Sequence, residues 1–305
     1  MNDRFAPYSP VMKKSSEQLH RFIRKLRYTR REKLRFLLVY DVERHGPKAP
    51  PNADGCRASS ASAWSASHSH SYSSGSSSDQ GAILLQPPAA RLSKSVTQIK
   101  LASSRRRSVH LLGRNAQGYA VFMGINQGGV KDRDIRRVNA QFIDVDLNKI
   151  VESFPTRAEL DRRVRALKAN PAEQLRMLAV SRDASGRFVL KAQRTDARVA
   201  QLKARFLKKY GGLLRQAMIV ETKNGYHAYW PIRGGAIAKF VPIQNALTKK
   251  FGSDPHITNL SRVMRVPGFY HMKNPDQPFL VRVVSWGRKK PFTQEELVKS
   301  LGLKL

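Results

Sequence analysis

Residues 138–150, "VNAQFIDVDLNKI", constrain this chain more than any other stretch. Two aspartates, Asp144 and Asp146, stand two apart inside an apolar run. In an extended strand, residues two apart project to the same face. The two carboxylates then lie side by side with Phe142, while Ile143, Val145 and Leu147 take the opposite face. Adjacent carboxylates repel each other and raise a pKa unless a cation sits between them. A hard divalent ion such as Mg²⁺ meets that need with oxygen ligands. A strand end whose acids meet water, or arginines such as Arg136 and Arg137, meets it too. From the spacing alone, both readings stand.

The charge balance makes the acidic pair conspicuous. The 305 residues carry 56 Lys+Arg against 22 Asp+Glu, a formal net charge of +34. Such a surface repels itself unless a polyanion is near, so nucleic acid is the leading partner class and an anionic membrane the weaker one. No run of 18 apolar residues exists, so no membrane span is expected. The first residues, "MNDRFAPYSPVMKKSSEQ", lack the apolar core of a signal peptide, which leads to the expectation of a cytoplasmic protein. The single cysteine, Cys56, excludes an intrachain disulfide framework and a cysteine-rich zinc site.

Composition divides the chain into three parts: a basic, partly helical N-terminal arm (1–50), a Ser-rich disordered linker (51–108) and a catalytic domain (109–305). In the first, "SSEQLHRFIRKLRY" (15–28) places Leu19, Phe22, Ile23 and Leu26 at helical spacing, with Ser15 and Gln18 as a capping box. The 13 Lys+Arg among residues 1–50 fit either an arm lying along phosphates or the solvated face of a helix docked on the body. Residues 59–78 contain 12 serines, too little apolar surface to offset the entropy of ordering. His68 and His70 lie in that stretch without further ligands, and "SSRRRS" (103–108) reads as more tether. From Val109 the patterns predict a hairpin around Asn115-Ala116-Gln117-Gly118, then the Asp144–Asp146 strand. Helices follow over 156–167, over 195–211 closed by Gly211, and over 238–252. A hairpin turning at Asn224-Gly225 separates the last two. Beyond them come a loop–helix–loop over 253–275, the strand "FLVRVVSWG", and a final helix over 293–303 with Thr293 and Glu296 at capping-box spacing. Hairpins mixed with helices make this an α+β domain of antiparallel and mixed sheets flanked by helices.

Two further segments bear on chemistry. In "IVETKNGYHAYW" (219–230), His227 follows a tight turn and shares a strand face with Gly225 and Tyr229. A histidine beside a glycine can reach a phosphate and donate from one ring nitrogen, with Lys223 and Asn224 assisting; a structural histidine is the competing reading. In "SDPHITNLSRVMRVPGFYHMKNP" (253–275), Asp254 offers a third carboxylate. Arg262 and Arg265, three apart, share one face of the expected helix and can clamp phosphate. Pro267-Gly268 then turns the chain so that Lys273 returns toward them.

In this order, "FIDVD", "TKNGYH" and "DPHITNLSRVMRVPGFYHMK" resemble the archaeo-eukaryotic primase superfamily, most closely the primase domain of RepB-type plasmid replication proteins. The resemblance spans about residues 109–290. It implies that Asp144, Asp146 and Asp254 hold Mg²⁺ or Mn²⁺, that His227 contacts the phosphates of the incoming nucleotide, and that Arg262, Arg265 and Lys273 lie near nucleotide and template. Thr222 and Lys223 depart from the family's small Ser-Gly pair. Only about 15 residues follow position 290, too few for the helical domain that often handles the primer. No G-x-x-x-x-G-K-[ST] pattern occurs, so a replicative helicase partner would be a separate chain.

The activity implied is primer synthesis on a single-stranded DNA template from nucleoside triphosphates, by two-metal nucleotidyl transfer in plasmid or mobile-element replication. Two other classes remain open at this point. One is a nucleic-acid-binding protein that keeps the fold without the chemistry; the other is a metal-dependent nuclease, which also uses paired acids.

Overall fold

The structure is a computed structural model and describes residues 10–29, 32–42, 94–100 and 104–305. Cys56, His68, His70 and most of the Ser-rich segment lie outside the described residues. Helix α1 (Pro10–Lys25) leads into strand β1 (Lys33–Tyr40). Strand β2 (Lys94–Lys100) and helix α2 (Ser104–Ala116) follow, then β3 (Tyr119–Gly124), β4 (Gln127–Gly128) and β5 (Ile135–Asp146). Next come β6 (Lys149–Phe154), α3 (Arg157–Lys168), β7 (Leu175–Arg182), β8 (Phe188–Arg194) and α4 (Asp196–Leu214). The chain continues through β9 (Met218–Glu221), β10 (Gly225–Gly235), α5 (Phe240–Phe251), β11 (Val263–Arg265) and β12 (Tyr270–His271). It closes with β13 (Phe279–Leu280), β14 (Arg282–Ser285) and α6 (Gln294–Leu301).

These strands build an α+β fold of antiparallel sheets flanked by helices, the fold class expected. A four-stranded sheet runs β11-β3-β1-β2 and a five-stranded sheet β14-β9-β10-β5-β4. One core joins them. It takes Phe22 and Ile23 from α1, Leu26 from the turn after it, Phe36 and Leu38 from β1, Phe142 from β5, and Tyr229 and Trp230 from β10. A three-stranded sheet, β6-β8-β7, carries α3 over a smaller core of Ile150, Leu160, Leu167, Leu190 and Ala192.

Several local expectations are corrected. Helix α1 begins at Pro10, so Ser15 lies inside it rather than at its cap, and is itself buried. The apolar stripe holds, because Leu19, Phe22, Ile23 and Leu26 are each at most 3 % exposed. Burying such side chains contributes roughly 1.5–3 kcal/mol apiece; the segment is docked on the body rather than lying free as an arm. Strand β2 and the start of α2 fall inside the stretch read as tether. The first arm of the hairpin expected after Val109 is instead helix α2, whose Leu111, Leu112 and Asn115 bury one face at spacings of three and four, while the second arm is strand β3 as expected. Helix α4 runs through Gly211 to Leu214.

The segment after Asp254 contains no α-helix. It holds a short 3₁₀ turn at Pro255–Ile257 and then β11, which pairs with β3. Arg262 and Arg265 therefore share no helical face. In contrast, α3 starts at the expected cap, where Thr156 Oγ1 accepts from Glu159 N at 3.3 Å. Helix α6 has the full reciprocal box between Thr293 and Glu296.

Candidate active site

Strand register assembles the site. β10 pairs antiparallel with β5 so that His227 stands opposite Asp144, Gly225 opposite Asp146 and Tyr229 opposite Phe142. The two strand faces read separately from the sequence thus meet in one row. Gly225 is required for close approach rather than for a turn. A Cβ there would come within 1.7 Å of the Val145 carbonyl oxygen. The turn itself is one residue earlier than expected: Thr222 N donates to Gly225 O at 3.0 Å, enclosing Lys223 and Asn224. The Asn224 carbonyl accepts from Leu147 N at 2.8 Å and ties the turn to the end of the acidic strand.

Helix α5 fixes β5 from behind. Gln141 Nε2 donates to Gln244 Oε1 at 2.9 Å, and Gln244 Nε2 donates to the Phe142 carbonyl. Asp254, just past α5, donates its N–H to the Asp144 carbonyl at 2.9 Å. That bond brings the third acid of the sequence reading beside the first. Burial, then the charges of Asp146 and Asp254, push the Asp144 carboxyl up to about 7; Arg262 and Lys149 oppose the rise. The Asp144 side chain stays 32 % exposed, so water or a cation can reach it.

His227 lies 3.5 Å from Asp144 Oδ1 through Nε2, and its Nδ1 is 3.0 Å from the Tyr229 hydroxyl. Burial, together with Arg265 and Arg262, lowers the imidazole to about 3. Burial and Asp144 hold the Tyr229 phenol well above its ordinary value. A protonated phenol donating to Nδ1 leaves the proton on Nε2, which faces the carboxylate.

The remaining candidates have distinct partners. Asp146 Oδ1 accepts from Asn148 N at 2.9 Å, and its Oδ2 lies 3.8 Å from Lys149 Nζ. Asp254 Oδ1 is 2.9 Å from His256 Nδ1, and Oδ2 is 3.7 Å from Arg262. Arg265 pairs with Asp41 at 3.1 Å. Lys223 Nζ sits 3.9 Å from Asp196, and the charges of Lys223 and Lys273 both reach His271. Among the described residues, no group of three or more His, Cys, Asp or Glu forms a ready-made metal cage. Sequence reasoning put Tyr229 on the His227 face but missed Asp41, Lys149 and His271 as neighbours of the site. Asp41 was legible in principle, because "KLRFLLVYD" alternates like a strand ending in an acid.

A family model for the RepB DNA-primase N-terminal domain matches residues 190–303. This stretch is RepB-primase-like. It contains His227, Asp254, Arg262, Arg265 and Lys273; Asp144 and Asp146 lie ahead of it and join through the β5–β10 register. Solved structures similar to this chain include the archaeo-eukaryotic primase domain of the cyanophage S-2L primase-polymerase. That one has a TM-score of 0.41 at 13% identity, over 93% of this chain and 97% of that one. The primase RepB' gives 0.42 at 14%, over 94% of this chain and 62% of that one. The catalytic domain of RepB' in complex with initiator DNA gives 0.41 at 13%, over 94% and 93%. No curated protein matches. The RepB-primase match supports a primase-like function. No helix among the described residues is long and apolar enough to cross a membrane.

Proposed function

We propose that this chain is a nucleotidyltransferase, a DNA primase or primase-polymerase that joins nucleoside triphosphates on a single-stranded DNA template. The reading is carried by one observation: the β5–β10 register sets Asp144 opposite His227, and the Asp254 N–H is bonded to the Asp144 carbonyl. Three sequence-distant motifs thereby share one place, as binding alone would not require.

Asp144 and Asp146 are hard oxygen donors set side by side, and their repulsion contributes to the raised Asp144 carboxyl. That donor set fits Mg²⁺ or Mn²⁺. Asp254 would complete it by exchanging its present contacts with His256 and Arg262. Held by these residues, such an ion would supply Lewis-acid chemistry, acidifying a 3′-hydroxyl and offsetting charge on the α-phosphate and the leaving pyrophosphate. The chain's own groups do the rest. Neutral His227 offers its Nε2 proton to a phosphate oxygen. Arg262, Arg265, Lys223 and Lys273 offset charge on the triphosphate, and Asn224 holds the hairpin turn against the acidic strand. The net charge of +34 gathers template and nucleotide.

Labelled nucleotides, Mg²⁺ or Mn²⁺ and single-stranded DNA test this in one reaction. Extension products support it. Shortened template points to a nuclease, and a salt-sensitive gel shift without either product points to a binding protein.

A further inference from the structure

Asp41 follows β1 and stands outside the residues assigned above. Its Oδ2 accepts from Arg265 Nη2 at 3.1 Å and lies 3.5 Å from His271 Nε2. The three side chains are only 18 %, 14 % and 11 % exposed, in the order Asp41, Arg265, His271. The guanidinium carbon of Arg265 is 4.8 Å from the Phe122 ring centroid. One edge of the fork is thus tied to Asp41 and one face is covered by an aromatic ring. A second donor nitrogen, Nη1, is buried with no hydrogen-bond partner among the described residues. A buried cationic donor without an acceptor is costly, and a site that keeps one is ready for an anion. The Arg265 charge reaches both His227 and His271, and Lys223 and Lys273 also reach His271, so this donor lies among the cations beside the acidic row.

We propose that Asp41 is a positioning residue that locks the Arg265 fork, so that Nη1 is presented to a phosphate oxygen of the triphosphate. The inference rests on the nucleotidyltransferase reading and deepens it, assigning triphosphate affinity to a residue of the N-terminal segment. An arginine held by one carboxylate meets a phosphate in a fixed plane, whereas a released one must be ordered at each binding event. Being anionic, Asp41 does not itself meet a phosphate.

Calorimetric titration of inorganic tripolyphosphate, with KM and kcat for primer synthesis alongside, tests this in wild type, Asp41→Ala, Asp41→Asn, Arg265→Ala and the Asp41→Ala/Arg265→Ala double variant. Asp41→Ala is expected to weaken tripolyphosphate binding and raise the nucleotide KM about tenfold or more, with kcat within about threefold. Asp41→Asn, which keeps an acceptor oxygen, recovers part of the loss. Asp41→Ala adds nothing in the Arg265→Ala background, because the two act as one unit. Unchanged tripolyphosphate affinity in Asp41→Ala overturns the proposal, and so do losses that multiply in the double variant. Should Asp41→Ala not fold, Asp41→Asn decides: wild-type affinity there overturns it, weakened affinity supports it. Wild-type protein that fails to bind tripolyphosphate also overturns it. Binding that depends on Asp41 without any synthesis keeps the positioning role and removes the nucleotidyltransferase reading.

Discussion

Asp144 faces two opposed demands. Its backbone belongs to the core, where Ile143 and Val145 are buried, while its carboxyl stands beside two other acids. The folded state therefore holds the carboxyl proton more tightly than the unfolded chain does. Stability from this group is full at low pH and lost as pH rises from about 4 through about 7. The neutral His227 and His271, both lowered to about 3, act oppositely: their contribution is full above pH 6.5 and lost as pH falls toward 3. Denaturant titrations across pH 4–8 should show Asp144→Asn gaining stability over wild type as pH rises, on the order of 1–2 kcal/mol once solvent access is allowed for. Parallel curves for the two proteins would count against the buried repulsion. The Asp144→Ala/Asp146→Ala variant should lose synthesis yet bind single-stranded DNA as well or better, since it sheds negative charge; retained synthesis refutes the metal role. The acidic pair and His227 were legible because strand alternation fixes which residues share a face. The Arg265–Asp41 pair was not, because its members lie more than 200 residues apart and meet only through β3.

At the level of elements, long apolar patterns were readable and short ones misled. The β5 strand spans 12 residues and the β9–β10 hairpin follows it closely in space. Strand β11 has three residues, too few for periodicity to separate strand from helix, and its pairing with β3 decides the matter. Helix α2 was mistaken for the first arm of a hairpin because Asn115-Ala116-Gln117-Gly118 carries turn chemistry. The buried Asn115 instead accepts from Tyr270 N at 2.7 Å and holds β12 in place. Two glycine substitutions separate these cases. Gly225→Ala forces a Cβ against the Val145 carbonyl, so about 1–3 kcal/mol of stability and most synthesis should be lost. Gly211→Ala, inside α4 with open space around it, should gain about 0.5–1 kcal/mol. Thermal denaturation of both variants checks the signs; a destabilised Gly211→Ala protein would argue that α4 ends where its sequence suggested.

At the scale of the whole molecule, the N-terminal segment belongs to the sheet system. β1 lies between β2 and β3, and α1 supplies core residues, so deleting residues 1–104 should give insoluble or unfolded protein rather than a folded enzyme with weak template affinity. Replacing residues 43–92 with a short Gly-Ser turn should leave a folded, active chain, because β1 pairs with β2 through Val39 and Lys94. Those 50 residues carry 4 Lys+Arg against 3 Asp+Glu, so the salt dependence of DNA binding should barely change. Circular dichroism and salt-titrated binding measure both outcomes; a collapsed replacement chain would make the excised residues structural. By itself the sequence determined the α+β class, the shared face of Asp144 and Asp146, the caps of α3 and α6, and a net charge of +34. Each follows from local periodicity, capping chemistry or summed charge, which need no partner segment. Only the tertiary structure decided that His227 faces Asp144, that Asp254 joins them, and that Asp41 holds Arg265. Those are long-range pairings, set by strand register and by which apolar faces find one another, and no local pattern encodes them.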